Sequence, residues 1–554
     1  VKDKATGETL IGVSVAIWQN GQIANGTTTD EDGRYSFHTL PASDFELHLS
    51  YIGYKTAIIR RSQLKPGLVT RLEEDTKKVG EVVVNGFFAK SKTSYTGAVQ
   101  QISGEELRQV SGTNIMTALA ALTPGMEVVQ NNAAGSNPNH VPELVLRGMS
   151  SFSSEGQEVN QPTIILDGRE ISMTDLYDLD MNEVDNINVL KDAAATALYG
   201  SKAANGVIVI TRKPIQEGSI RVAYNFTGNV QFPVLGDYHV LNAADKLEYE
   251  RLAGLYTAEA GAVDANGQPL QYTLDKVYNS RFQQIRRGQN SDWLSQPART
   301  AFTHDHSLRI YGGSGKVRYE LTGRYGNTKG VMKGDHRTRY NIGFNLDYNV
   351  SKLLRISNRT TYSEVGVMDS PYGSFELYTY MNPYDAIWNA DGTPNTNLAW
   401  DLDNPLYEAT LGSYSKNGTS TLNNSTDFRW EINNDFRLTG RLDLSTASEW
   451  TEAFKSPNSR EFKNETDLTQ RGYRAQSNMR SNTVGVNLVG SYNHLFADNS
   501  LISTNVGWEL NHHKAKNEQT MYYGFFNDKL SSLQYTAAGR VPVPSGYLSE
   551  TADV

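Results

Sequence analysis

From about residue 218 onward the chain alternates. In IRVAYNFTGNVQF the residues Ile220, Val222, Tyr224, Phe226, Val230 and Phe232 fall on one side of a period of two. In YNIGFNLDYNV the residues Tyr340, Ile342, Phe344, Leu346, Tyr348 and Val350 oppose Asn341, Asn345, Asp347 and Asn349. A period of two predicts strands with one apolar and one polar face. VRYELTGRY, FRLTGRLDL, VGVNLVGSY and NVGWEL repeat it. About nine such strands can be counted, each near the 9–11 residues that cross a bilayer at a tilt. Tight connections (312–315, 351–353, 433–435, 497–500) alternate with long ones (233–303, 367–417, 515 onward). Short turns at one end, long loops at the other and a sustained polar lane predict the first part of a large antiparallel transmembrane β-barrel. A soluble solenoid or sandwich would require none of that asymmetry.

The preceding residues read differently. Residues 1–75 alternate over short segments around Gly- and Asn-containing turns, which predicts a small β-sandwich. Residues 76–95 form a linker in which Glu81-Val82-Val83-Val84 stands between Gly80 and Gly86. So short a β-branched run supports no sheet of its own, and it suits addition to another sheet or to the edge of a neighbouring domain. Residues 96–215 predict a compact α/β unit. Ser103 and Glu106 form a capping box at its first helix, and Pro124-Gly125 stops its second. ELVLRGMS and PTIILDGRE are short strands ending in turns, and NVLKDAAATALYGSKAANGVIVITRK reads strand, helix, turn, strand. The whole is mostly β: sandwich at 1–75, linker at 76–95, α/β unit at 96–215, and barrel strands over 216–554.

Composition narrows the function classes. The 554 residues carry a formal charge of -9 and no cysteine, which disfavours a nucleic-acid partner and excludes thiolate chemistry. No apolar run reaches the roughly 18 residues of a spanning helix. Thirty tyrosines suit sheet surfaces and membrane interfaces. Val1 opens without a leader and Val554 closes without a terminal signal, so the chain reads as a piece of something longer.

Candidate chemistry is sparse. Asp30-Glu31-Asp32-Gly33 lacks the continued ligands of a calcium loop and reads as a β-turn. His304 and His306 share a strand face, whereas His512 and His513 oppose each other; both pairs read as interfacial or lumen histidines rather than metal ligands. The Gly-rich segment at 312–315 is a hairpin turn, without the Lys-Ser/Thr of a phosphate loop. Arg147 and Asp167, at the ends of strand motifs, are expected to bond turn backbone or barrel-wall charges rather than cargo. No metal, cofactor or enzymatic activity is expected.

These residues carry a resemblance. LIGVSVAIWQNG, GTTTDEDGRYSFHTLP and LSYIGYKT look like the carboxypeptidase-regulatory-like sandwich of TonB-dependent outer-membrane transporters of the SusC/RagA type of the Bacteroidetes. LVLRGMSS, PTIILDGR and VDNINVLKDAAATALYGSKAANGVIVITRK are similar to the plug of that family, and HSLRIYGGSGKVRYELTGRYGNTKGV to its first barrel hairpins. The resemblance implies a TonB box at Glu81, Val82, Val83, Val84 and Asn85, although Asn85-Gly86-Phe87 departs from the family's usual aromatic-glycine pair. It implies plug motifs at Arg147-Gly148, Asp167-Gly168, Lys191-Asp192, Tyr199-Gly200 and Ala204-Asn205-Gly206. It also implies an outer-membrane location with a periplasmic N-terminal domain, TonB as energising partner and a SusD-like surface lipoprotein. The implied activity is import of an oligosaccharide, the alternatives being a peptide importer or a signal transducer on the same scaffold. Barrels of this kind close about 22 strands, so roughly 13 would lie beyond Val554. The α/β unit without chemistry is then explained as a stopper that fills the pore and stays displaceable.

Overall fold

The computed structural model describes residues 1–4, 7, 9–10, 12–19, 22–30, 32–37, 39–41, 43–51, 54–65, 67–73, 82–84, 89–91, 99–112, 114–129, 136–146, 148, 160–191, 203–433, 435–495, 501–537 and 542–553. The chain divides into two compact units, Val1–Gln101 with Asn188–Val209, and Ile102–Ile187 with Ile210–Val554.

In the first unit, β1 (Lys2–Asp3), β2 (Ser14–Gln19), β3 (Gln22–Thr28), β4 (Glu46–Ser50), β5 (Ala57–Arg60) and β6 (Arg71–Leu72) build the sandwich. The order β3-β2-β4-β5 makes one sheet, and β1 pairs with β6. The alternation of β2 and β4 buries Val15, Ile17, Leu47 and Leu49 against Val13, Phe45 and Leu72. Next come β7 (Val82–Val84) and β8 (Ala89–Ser91), which pair antiparallel with Val83 opposite Lys90. The β-branched run is therefore already one strand of a two-stranded sheet and not an unpaired linker segment. Residues so rich in strand propensity close on the nearest available partner.

The plug elements follow: β9 (Val99–Ser103), α1 (Gly104–Val110), α2 (Ile115–Leu122), β10 (Met126–Val128), β11 (Leu144–Leu146), β12 (Thr163–Leu166), β13 (Arg169–Ile171), α3 (Met173–Tyr177), β14 (Val184–Leu190) and β15 (Val207–Arg212). Five of these strands form a sheet ordered β13-β12-β15-β14-β9. The capping box forms at α1, where Glu106 N donates to Ser103 Oγ at 3.2 Å and Ser103 N donates to Glu106 Oε2 at 2.8 Å. In the second unit Leu107, Ile115, Met116, Leu119, Leu144, Leu176, Val184 and Ile187 are buried, an apolar interior typical of a soluble domain.

The remainder is a ten-stranded antiparallel sheet in chain order: β16 (Gly218–Gln231), β17 (Ala301–Gly313), β18 (Val317–Lys329), β19 (His336–Asn349), β20 (Leu354–Met368), β21 (Tyr414–Glu431), β22 (Phe436–Lys455), β23 (Tyr473–Leu495), β24 (Leu501–Tyr523) and β25 (Val543–Asp553). Two expectations change. The strand count is ten, because β25 (VPSGYLSETAD) carries Pro, Gly and acids instead of an apolar lane, yet pairs with β24 from Met521↔Val543 to Asn511↔Asp553. Strands are also longer than a crossing demands: β23 and β24 each run 23 residues, so residues 515–523 extend β24 rather than begin a loop. The 497–500 turn lies outside the described residues.

Register fixes two lanes. On β19, Tyr340 faces Tyr325 and Phe344 faces Leu321, while Asn345 faces Glu320 and Asp347 faces Arg318. Tyr340, Ile342 and Phe344 are exposed; Asn345 and Asp347 are buried. His304 and His306 belong to the outward lane, His306 contacting Phe226 and Tyr325 and accepting or donating a bond with Tyr224 Oη at 2.7 Å. One patch of that lane is polar. Asn358 and Thr360 on β20 and Asn424 and Thr426 on β21 lie between the rows Ile356/Phe428 and Tyr362/Leu422. They bond one another: Asn358 Nδ2 to Thr426 Oγ1 at 2.8 Å, Asn424 Nδ2 to Thr360 Oγ1 at 2.7 Å, and Thr360 Oγ1 to Asn358 Oδ1 at 3.1 Å. A closed network is the cheapest way to leave amides on a lipid-facing surface.

At the long-loop end, segments 232–300, 330–335 and 369–413 pack together. They contain α4 (Ala243–Leu252) and α5 (Leu270–Arg286). One cluster joins Trp293, Leu294, Met332, Tyr378, Leu398 and Leu406, and a second joins Ala243, Leu247, Tyr256 and Tyr384.

Candidate functional site: the plug against the barrel wall

The turn between β12 and β13 is where the DGR motif sits. Asp167 and Gly168 both have positive φ, 50° and 84°, as a two-residue hairpin requires. Gly168 is needed for a second reason: a Cβ there would stand 2.2 Å from Arg441 Nη1 on the wall. Asp167 is held from two sides. Its Oδ1 accepts the backbone N–H of Arg212 at 3.0 Å, and its Oδ2 lies 3.2 Å from Arg359 Nη1 of β20. Next to it, Arg169 Nη1 donates to Asn423 Oδ1 of β21 at 3.0 Å. A cavity of about 30 Å³ among Asp167, Arg169, Arg212, Arg359 and Asn423 has room for a water molecule.

The second contact lies beyond α3. Asp178 follows that helix directly and meets two arginines that alternate into the polar lane of β19. Arg337 Nε donates to its Oδ1 at 3.1 Å and Arg339 Nη1 at 3.3 Å. Both arginines are nearly sealed from solvent, at 4% and 5% exposure. Arg324 of β18 donates to the Asp178 carbonyl at 2.6 Å and to both oxygens of Asp305 at 3.0 Å. Ser307 Oγ of β17 donates to Asp180 Oδ2 at 2.6 Å. Glu183 pairs with Arg212 Nε at 3.2 Å, and burial pushes its carboxyl above the usual range against the pull of that arginine.

Among the anticipated motif residues, the structure places Asp167 and Gly168 at the wall. Gly206 lies in a turn with φ 93°, its N–H donating to the Ala203 carbonyl at 3.0 Å, and Ala204 and Asn205 complete that turn. Lys191 Nζ donates to Gln100 Oε1 at 3.0 Å, and Gly148 has φ 83°. Glu81, Asn85, Arg147, Asp192, Tyr199 and Gly200 lie outside the described residues. The strongest wall contacts, those of Asp178 and Asp180, were not singled out from the sequence, and neither was the Glu183–Arg212 pair inside the plug. Two signals were available: the acids of DLYDLDMNEVD, and the position of Arg337 and Arg339 in the polar lane of HRTRYNIGFNLDYNV. No group of three or more metal-ligating side chains occurs among the described residues.

Comparison with known proteins agrees with this architecture. Residues 91–207 match the TonB-dependent Receptor Plug Domain, and residues 1–84 match the CarboxypepD_reg-like domain. The TonB-dependent receptor SusC of Bacteroides thetaiotaomicron is 28% identical over 490 residues, covering 82% of this chain and 44% of that protein. The TonB-dependent receptor P39 of Formosa agariphila is 26% identical over 390 residues, covering 70% of this chain and 34% of that protein. The chain thus spans less than half the length of these relatives. The solved structure of the RagAB peptide importer in an open-open state shares the fold, with TM-score 0.67 at 19% identity over 85% of this chain and 53% of that one.

Proposed function

We propose that this chain, whose domains, relatives and fold support a SusC/RagA-type TonB-dependent transporter of the outer membrane, serves active import of a nutrient by displacement of its plug. The observation that carries the reading is the contrast between the plug's interior and its contact with the wall. The interior is apolar, whereas the contact with β17–β21 runs through Asp167, Arg169, Asp178 and Asp180 to Arg359, Asn423, Arg337, Arg339 and Ser307. Water can replace each such bond as it opens, so these contacts can part from the wall at a cost far below that of unfolding.

The pull is supplied at β7, where TonB pairs a strand with Val82–Val84, adding to the β7–β8 sheet or displacing β8. A lipoprotein of the SusD type closes over the cargo on the outer face, and the cargo is an oligosaccharide. Strand pairing rests on backbone groups, so Val83→Pro abolishes energised uptake while Val83→Ile is nearly silent. Surface binding of cargo survives in both variants. Growth on the cognate nutrient and surface binding of labelled cargo, measured in cells carrying each variant of the full-length protein, test this. Full growth with Val83→Pro would refute the TonB-box assignment, and growth on peptides alone would replace the cargo class.

A further inference from the structure

We propose that Trp400 and Asp401, in the loop between β20 and β21, form a platform on which a neutral pyranose ring of the cargo docks; this rests on the import reading above. The two residues are adjacent and both left-handed, Trp400 with φ 61° and ψ 25°, Asp401 with φ 55°. For a residue as bulky as tryptophan this backbone is rarely populated, and surrounding contacts must hold it. Buried Leu398 and half-buried Leu402, which packs on the same cluster, anchor the loop on either side. The dipeptide is thereby held outward.

The indole is fixed from behind. Its Nε1–H donates to Tyr384 Oη at 3.1 Å and to Glu250 Oε1 at 3.3 Å. Glu250, only 2% exposed, also accepts from Tyr256 Oη at 2.8 Å and Tyr384 Oη at 2.9 Å. The Arg281 guanidinium lies over the indole, 4.4 Å from the ring centroid, and also over Tyr384 at 5.0 Å. Trp400 nevertheless keeps 43% of its surface exposed, with the Tyr256 ring tilted against it at 5.9 Å. A hydrogen bond to a buried carboxylate, a cation over the ring and a large exposed fraction make a rigid aromatic plate rather than a core residue. Asp401 beside it is 87% exposed in its side chain, with Lys463 Nζ at 3.5 Å.

Charge decides the ligand class. The carboxylates Glu250, Asp401 and Asp403 are each paired, by Lys246, Arg281, Arg460 and Lys463 at 2.6 to 3.8 Å, with one cation in excess. No carboxylate of the set is left without a cation, so a cationic ligand gains nothing from the local field. The Arg281 charge over the indole also opposes a second cation on the same ring, which disfavours a basic peptide side chain. A pyranose ring presents a C–H face to the indole and hydroxyls that donate to Asp401 or accept from Lys463, with no net charge to compensate. Rigid aromatic anchors of this kind give affinity at low entropic cost.

The test is calorimetric titration of the full-length protein in detergent with maltohexaose, xylohexaose, mannohexaose and trilysine. At least one hexasaccharide binds; Trp400→Ala weakens it tenfold or more, Trp400→Phe less, and Asp401→Gly several-fold. Glycine suits φ 55° at 401, so loss in that variant reports the carboxylate and not a misfolded loop. Binding of no hexasaccharide, equal affinity in Trp400→Ala and Asp401→Gly, or tighter binding of trilysine than of any sugar would each overturn the proposal. Equilibrium binding does not involve TonB, so Val83→Pro leaves these affinities unchanged. Import can thus fail while the platform stands, and the reverse.

Discussion

The two faces of the barrel sheet use the same strands for opposite physics. On β19 the outward lane Tyr340, Ile342 and Phe344 is exposed and apolar, and one residue away Arg337, Arg339, Asn345 and Asp347 are buried and polar. The outward lane gains from contact with hydrocarbon and is permanent. The inward lane gains from paired charges and can be exchanged for water. The lesson is that burial alone does not identify an apolar interface here: the more buried lane is the polar one, whose bonds water can replace.

The largest expected effect comes from unpairing the inward lane. Asp178→Ala takes from the sealed Arg337 and Arg339 the carboxylate they share, leaving Arg339 only Asp305 at 3.9 Å, and breaking a buried pair by removing one partner costs about 3–5 kcal/mol. The plug loosens, and the outer membrane becomes leaky to large antibiotics in a susceptibility assay. Adding Arg337→Met restores part of the barrier. If Asp178→Ala were as tight as the parent, the contact would carry no load.

Next in size is the outward lane. Arg in place of Phe344 costs about 2–4 kcal/mol near the bilayer middle. Asn345→Ala forfeits the 2.7 Å bond from its Nδ2 to Glu320 Oε1 and costs about 1 kcal/mol. Heat-modifiability of the folded barrel ranks the two, and equal losses would contradict the lane assignment.

These lanes were legible because a period of two leaves little choice once one face must meet lipid. The turns at Asp167-Gly168 and Gly206 were legible for a similar reason, since local backbone demands select the residues. The partners of Asp178 were not. Arg337 and Arg339 stand about 160 positions away in sequence, and nothing in a local pattern says which acid meets which arginine. Strand β25 was missed because its Pro, Gly and acids hide the alternation that pairing with β24 supplies. The β7–β8 pairing was missed because a three-residue strand has no period to read. The loop cluster around Glu250 depends on side chains from three distant segments, and only the strained Trp400-Asp401 backbone marks it.

A smaller effect tests the polar patch on the outward lane. Asn358→Leu alone strands its partners and costs about 1–2 kcal/mol, whereas replacing Asn358, Thr360, Asn424 and Thr426 together by apolar residues of similar size is nearly neutral. Urea titration of the reconstituted barrel measures both. A quadruple variant as weak as the sum of four singles would show that the patch meets something polar in the membrane.

The smallest effect is confined to the loop between β18 and β19. Burial pushes the Asp335 carboxyl up to about 6, against an ordinary 3.8, with Arg299 nearby pulling it down. The ordered loop keeps this proton to about pH 6, while an opened loop releases it near the ordinary value. Loop stability is therefore greatest at low pH and falls as pH rises through that window. Hydrogen exchange over 330–335 should be slower at pH 4.5 than at pH 7, and Asp335→Asn should remove the difference. Identical exchange at the two pH values, after correction for intrinsic rate, would contradict the burial of the ionising group.

The central claim is that the plug must part from the wall for cargo to pass. These 554 residues contain no cysteine to compete with an engineered pair. Asp180 and Ser307 touch through a 2.6 Å hydrogen bond, one on the plug and one on β17. In the full-length protein carrying Asp180→Cys and Ser307→Cys, the account predicts that oxidation leaves surface binding of labelled cargo intact and stops its uptake, with reductant restoring it. Full uptake with the cross-link verified by mass spectrometry would contradict the account.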